Sequence, residues 1–252
     1  MKPALGTAVH RHARHLQGFE ERVARSLAQL QEAAAAHAGR VVQTTSLGAE
    51  DMVITDLIAR HRLPIALATL DTGLLHAQTL ALAERLQSHY GMALERWQPM
   101  QEQVLSFTAR HGANAMYASP AQRQACCALR KLEPLARALQ GRSAWITGLR
   151  REQSAQRQAL PFSQTDDQGR QKFNPLADWL ETDVWHYIGV HAVPYNPLHD
   201  AFFPSIGCAP CTRAVALGED PRSGRWWWEQ DATKECGLHL RASAQATAHT
   251  PA

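Results

Sequence analysis

The chain has 252 residues, 45% of them apolar and 19% charged, with a net charge of +3. This composition is that of a globular chain long enough to close a core, and it excludes a disordered one. The longest apolar runs, such as Leu63 to Leu70, fall far short of the roughly 20 residues of a membrane helix.

No apolar stretch of signal-peptide length follows Met1. A cytoplasmic location with no membrane partner is expected, and the acid-poor residues 1–18 leave an organelle-targeting alternative. Positive charge is almost all Arg, since Lys2, Lys131, Lys172 and Lys234 are the only lysines. Arg suits bidentate contacts to phosphate or sulfate, although genomic composition produces the same bias. Charges of both signs are mixed along the chain, so no nucleic-acid partner is expected.

The predicted elements begin with a helix over residues 18–38, where Phe19, Val23, Leu27 and Leu30 repeat at helical spacing before Gly39. Val41 to Thr45 is a β-branched run and reads as a buried strand. The turn Ser46 to Asp51 follows, then a helix from Met52 to His61. Ile65 to Leu70 is a second strand, Asp71-Thr72-Gly73 a turn, and Leu74 to Tyr90 a helix. Ala93 to Trp97 reads as a strand, Ala121 to Leu139 as a helix, and Ser143 to Gly148 as a fourth strand.

Short strands alternating with longer helices predict an α/β protein: a parallel twisted sheet with helices on both faces. Residues 151–174 are polar and expected to be mobile. Asp178 to Val190 is a further helix, and a Pro-rich stretch runs to Pro210. Residues 241–252 read as a disordered tail. The chain is expected to form one domain over residues 1–240.

Three turns fall at the carboxyl ends of strands, where open α/β sheets bind ligands. Ser46-Leu47-Gly48-Ala49-Glu50-Asp51 opens a helix, and backbone N–H groups there suit an anion. It matches neither of the usual Gly-rich phosphate fingerprints, and a plain turn capped by Ser46 would look similar. Leu70-Asp71-Thr72-Gly73 is the second, with Asp71 or Thr72 as a simple helix cap the alternative. Thr147 to Ser154 is the third and places Arg150, Arg151 and Arg157 near the same edge, unless they form a solvated charge run.

There are five cysteines, an odd count that argues against a closed disulfide framework. Cys126 and Cys127 are adjacent, Cys208 and Cys211 form a C-x-x-C after Gly207, and Cys236 stands alone. Adjacent side chains on a helix diverge by about 100°, so both sulfurs can face one metal centre only across the helix end. That suits a cluster with several iron corners better than one tetrahedral zinc. Zinc, or a redox C-x-x-C with two core cysteines, remain the alternatives.

Cys236 lies in Lys234-Glu235-Cys236-Gly237-Leu238-His239, where Lys234 and His239 would favour its thiolate. Upstream, Arg222 and Arg225 flank a triple Trp, Trp226 to Trp228, whose rings cannot all face one core.

Together these segments resemble the iron–sulfur adenylylsulfate (APS) reductases of the assimilatory sulfonucleotide reductase family. The resemblance covers roughly residues 40–240. It rests on Ser46 to Asp51, Leu70 to Gly73 with Leu75-His76, Cys126-Cys127 with Arg130-Lys131, Thr147 to Arg151, Asn174-Pro175-Leu176, Pro194 to Asp200, Ser205 to Thr212, Arg225 to Glu229 and Lys234 to His239. It implies an adenine nucleotide α-hydrolase-like fold with an irregular C-terminal segment, about residues 229–240, that is mobile and carries the catalytic cysteine.

The resemblance further implies one 4Fe–4S cluster per chain on Cys126, Cys127, Cys208 and Cys211. Cys236 would attack the sulfate sulfur of APS, release AMP and become an S-sulfonate, which thioredoxin or glutaredoxin would resolve to sulfite. Lys131, Arg157, Arg222, Arg225 and His239 would hold the phosphosulfate, and Ser46, Gly48, Leu70, Thr72 and Gly148 would line the adenosine pocket. The phosphorylated substrate PAPS is the alternative. A non-catalytic nucleotide-binding module, stabilised by the same metal, is a more distant one. Homo-oligomerisation is left open.

Overall fold

The computed structural model describes residues 6–229. Its centre is a six-stranded sheet of β1 (Val41–Thr45), β2 (Ala66–Leu70), β3 (Leu94–Trp97), β4 (Ala144–Ile146), β5 (Ser163–Thr165) and β6 (Gln171–Phe173). The spatial order is β3-β2-β1-β4-β6-β5. All neighbours pair in parallel except β5, which runs antiparallel to β6 at one edge.

Strand alternation divides the core in two. Val41, Leu67, Leu94, Ala144, Ile146 and Phe173 point to one face. There they meet the apolar sides of α2 (Phe19–Ala36), α3 (Ala49–Arg60), α4 (Ala77–Tyr90) and α8 (Glu181–His191). Val42, Ala68 and Trp145 point to the other face and pack on Leu135 and Leu139. Burial on both faces explains why the central strands β2 and β4 are nearly apolar throughout rather than alternating.

Before α2 lies a short helix, α1 (Ala8–His12); α5 (Gln101–His111) follows β3 and buries none of its side chains. The predicted helix from Ala121 to Leu139 is three segments in continuous helical backbone. These are α6 (Pro120–Cys127), a π-helical stretch Ala128–Leu132, and α7 (Glu133–Ala138).

Three expectations are corrected. The turn after β1 is shorter than expected, because α3 already begins at Ala49 with Gly48 as its N-cap, so Ser46 is no cap. Likewise α4 begins at Ala77 with His76 as N-cap, and neither Asp71 nor Thr72 caps it. The stretch expected to be mobile, residues 151–174, instead forms the β5–β6 hairpin that extends the sheet. Asn174 fixes it: its N–H donates to the Phe162 carbonyl at 2.7 Å, and its carboxamide oxygen accepts from the Thr147 hydroxyl at 2.7 Å. Polarity there serves the edge of a sheet, where hydrogen bonds rather than apolar burial order the chain.

Among the described residues no helix is long and apolar enough to cross a membrane.

Candidate active site

From β1 the chain winds outward through β2 to β3, then returns to place β4 on the other side of β1. The carboxyl ends of β1 and β4 therefore form a topological switch point, where an open sheet leaves a crevice. A cleft of about 960 Å³ opens there, near the upper end of the roughly 300–1,000 Å³ usual for small-molecule sites. It is lined by Ser46, Gly48, Leu70, Thr72, Lys131, Gly148, Arg157, Arg222 and Arg225, which the chain brings together from six separate segments. Cys236 and His239 lie outside the described residues, as do residues 230–252 in general.

The two central turns are tied by Asp51, in the first turn of α3. One carboxylate oxygen accepts from the Ser46 N–H and hydroxyl, both at 2.6 Å; the other accepts from the Gly148 N–H at 3.1 Å. Burial pushes the Asp51 carboxyl up to about 6, even though these donors favour its charged form. Leu47, between them, is buried with φ at 61°, a strained conformation for a branched residue.

Beside Asp51, Glu50 accepts from Arg150 Nε at 3.0 Å and from Gln153 Nε2 at 3.1 Å. Burial acts to raise the Glu50 carboxyl, but the charge of Arg150 and these bonds hold it below its ordinary value. Arg150 is 7% exposed and is also bound by Glu152 at 2.6 Å and the Trp179 carbonyl at 3.3 Å. It is a strut of the cleft rather than a receptor for an anion.

The cleft's cationic side comprises Lys131, Arg157, Arg222 and Arg225. Arg157 donates to Gln153 Oε1. Arg225 donates to the Ser205 hydroxyl at 3.1 Å and covers Gly207 so closely that a Cβ there would lie 2.7 Å from its guanidinium.

Next to the cleft is a small pocket lined by Cys126, Cys127, Cys208 and Cys211, together with Leu74, Met116, Arg123, Arg130, Lys131 and Trp226. Cys126 and Cys127 close α6 at the point where its winding loosens into the π segment. Such π turns are rare and re-aim side chains at functional sites. Cys208 and Cys211 sit on the 3₁₀ turn Ala209–Cys211, which the Ala209 N–H fastens to the Leu74 carbonyl at 2.7 Å. The Thr72 hydroxyl lies 3.3 Å from Cys208 Sγ, so this cleft residue also touches the thiol pocket.

Burial and then the neighbouring Cys208 and Cys127 sulfurs push the Cys211 thiol up to about 12. Cys126 is also raised, by burial first, and feels both Arg130 and Cys208. The four sulfurs thus sense one another across one pocket. Among the described residues, however, no three His, Cys, Asp or Glu side chains are placed to hold a single metal ion. Four soft thiol donors lining one pocket are the donor set that zinc or an iron–sulfur group takes.

Sequence reasoning passed over Asp51 as a hydrogen-bond hub, and Arg123 altogether. It gave no role to His199, which lines the cleft at 5% exposure and is held neutral, its pKa pushed down to about 4 by burial. Asp51 had a local signal, an acidic residue in a helix's first turn, and His199 lay within the segment Pro194 to Asp200. Arg123 had none short of the fold.

Fold and cleft define an α/β protein of the adenine nucleotide α-hydrolase-like type, with a thiol pocket built onto it. The chain belongs to the phosphoadenosine phosphosulfate reductase domain family, which matches residues 40–214. It is 56% identical over 212 residues to the adenosine 5′-phosphosulfate reductase of Allochromatium vinosum, covering 83% of each chain. Its identity to the protein of the same name from Neisseria meningitidis is 55% over 197 residues, or 77% of this chain and 81% of that one. Among solved structures, the phosphoadenylyl-sulfate reductase of Candida auris in a phosphate complex is 29% identical, with a TM-score of 0.63 over 81% of this chain and all of that one. The FMN adenylyltransferase of Candida glabrata shares the fold alone, at a TM-score of 0.54 and 13% identity over 84% of this chain and 74% of that one.

Proposed function

We propose that the chain reduces adenosine 5′-phosphosulfate to sulfite and AMP, as a cytoplasmic enzyme of sulfate assimilation. The observation that carries this reading is a shared wall. Lys131 and Trp226 line both the cleft at the sheet's switch point and the four-thiol pocket.

In this reading Ser46, Gly48, Leu70, Thr72 and Gly148 hold the adenosine. Lys131, Arg157, Arg222, Arg225 and His239 surround the phosphosulfate. The sulfur of that mixed anhydride is electrophilic, but its oxygens are anionic and repel a thiolate; the cations neutralise them and orient the group. The Cys236 thiolate attacks the sulfur, and the S–O bond to AMP breaks with its electron pair on AMP. The product is a Cys236 S-sulfonate. A dithiol partner, thioredoxin or glutaredoxin, attacks Cys236 Sγ, and the S–S pair leaves as sulfite. The partner's second thiol closes its own disulfide and frees Cys236, so the two electrons come from the dithiol.

Cys126, Cys127, Cys208 and Cys211 would hold one 4Fe–4S cluster per chain, whose chemistry there would be to organise the pocket and tune its electrostatics rather than to pass electrons.

The test is mass spectrometry after mixing the protein with APS and no reductant. A sulfonate adduct of roughly 80 Da on Cys236 is expected. Full sulfite production by Cys236→Ser would overturn the role of that thiol. An adduct only with the 3′-phosphorylated substrate would reassign the specificity.

A further inference from the structure

Trp226 is the partition between the two cavities, and its setting is unusual. The residue is 1% exposed, and its φ of 46° lies in the left-handed region, a strained conformation for a non-Gly residue. Two guanidinium groups lie over the indole: Arg225, which lines the cleft, has its Cζ 4.9 Å from the ring centroid, and Arg123, which lines the thiol pocket, has its Cζ 4.5 Å from it.

Each guanidinium is anchored in its own cavity. Arg225 meets Ser205 in the cleft. Arg123 Nε donates to Glu229 Oε1 at 2.5 Å in an ion pair whose side chains are 6% and 4% exposed, and its charge faces Cys127. The Trp226 N–H donates to the Cys211 carbonyl at 3.2 Å. Two of the four cysteines thus touch this stack, one through its backbone and one through Arg123.

We infer that Trp226 is a positioning residue that sets Arg225 in the cleft from the cysteine pocket, through Arg123, Glu229 and the Cys211 carbonyl. A buried ion pair on one side and a strained backbone leave the indole a single seat, and Arg225 stacks on whatever seat the indole takes. Arrangement of the cysteine pocket and affinity for the sulfate end of the substrate are then linked, and linkage of this kind is reciprocal. Adenosine, held at the ends of β1, β2 and β4, stands outside the linkage. The inference rests on the reading of the cleft as an APS site.

The test uses the cluster-loaded Cys236→Ser protein, which binds without turning over, titrated with APS and with AMP. Trp226→Leu is expected to weaken APS by about tenfold and AMP by less than about twofold. Trp226→Phe, which keeps an aromatic ring under the guanidiniums, is expected to restore most of the APS affinity. Glu229→Gln lies on the cysteine side and outside the cleft lining, and is expected to weaken APS selectively by about threefold or more. Equal losses for both nucleotides in Trp226→Leu and Glu229→Gln, or no loss in either, overturn the inference while leaving the APS reading intact. A parent protein that binds neither nucleotide overturns that reading, and this inference with it.

Discussion

Asp51 and Gly148, one at the head of α3 and one just beyond β4, are joined by a 3.1 Å hydrogen bond from the glycine N–H to the carboxylate. The same carboxylate holds Ser46. One buried side chain therefore sets the spacing of the two turns that flank the switch point.

Asp51 makes stability depend on pH in an uncommon direction. Its folded-state value of about 6 lies above its ordinary 3.8, so the folded protein holds this proton more tightly than the unfolded chain does. The contribution is favourable below the ordinary value and is lost as pH rises through about 6. Asp51→Asn cannot titrate. Urea unfolding of both proteins between pH 4.5 and 7.5 is expected to show the wild type losing ground to the variant as pH rises. A difference that is flat, or of the opposite slope, would refute this.

Gly148 is required for its small size. A Cβ there would lie 2.5 Å from Asp51 Oδ1, 3.0 Å from Glu50 Cβ and 3.1 Å from the Asp51 nitrogen, a buried carboxylate and atoms fixed to the α3 backbone that cannot swing away. Gly148→Ala is expected to cost about 1–3 kcal/mol of stability and to weaken AMP binding by about tenfold or more. Thermal unfolding and an AMP titration check both. An unchanged melting temperature with unchanged AMP affinity would show that the turns are not held as described.

Arg150→Met should act on the fold rather than on anion binding. It leaves Glu50, half-buried at the cleft wall, without the cation that holds its carboxyl down, at a cost of about 1–3 kcal/mol. The acid response changes as well. In the wild type Glu50 is depressed, so its contribution is present above the ordinary value of 4.5 and lost as pH falls through the lower folded value. Without Arg150 that depression shrinks, and with it the stability lost on acidification. An Arg150→Met protein as stable as the wild type, with the same acid midpoint, would count against the strut role.

The thiol pocket predicts metal content. Anaerobically purified protein is expected to carry about four irons per chain and to absorb broadly near 400 nm. Cys126→Ser and Cys211→Ser should each lose most of that iron. Stoichiometric zinc with no iron would overturn the cluster proposed for these four cysteines.

Much of the fold is legible in short windows. β1 falls where its β-branched run predicts, and α2 within two residues of its predicted end, because strand and helix periodicity are local properties. The hairpin of residues 163–173 was illegible for the opposite reason. Its order comes from Asn174, from Thr147 and from pairing with β4, not from its own apolar content. α5 has no buried side chain and so no apolar stripe to betray it.

The cysteine pattern and the strand-end turns could be found in the sequence because each is a cluster of chemically special residues at close spacing. That the pairs Cys126-Cys127 and Cys208–Cys211 line one pocket is a tertiary fact. So is the role of Arg150, which the structure locks between Glu50 and Glu152. Trp226 could be singled out among three tryptophans only once both cavities and both flanking guanidiniums were in place. Local spacing determines which elements form and which chemistry is available. Partners more than about a hundred residues apart, such as Arg123 and Glu229, are decided only when the sheet has closed and burial forces each charge to find its counterpart.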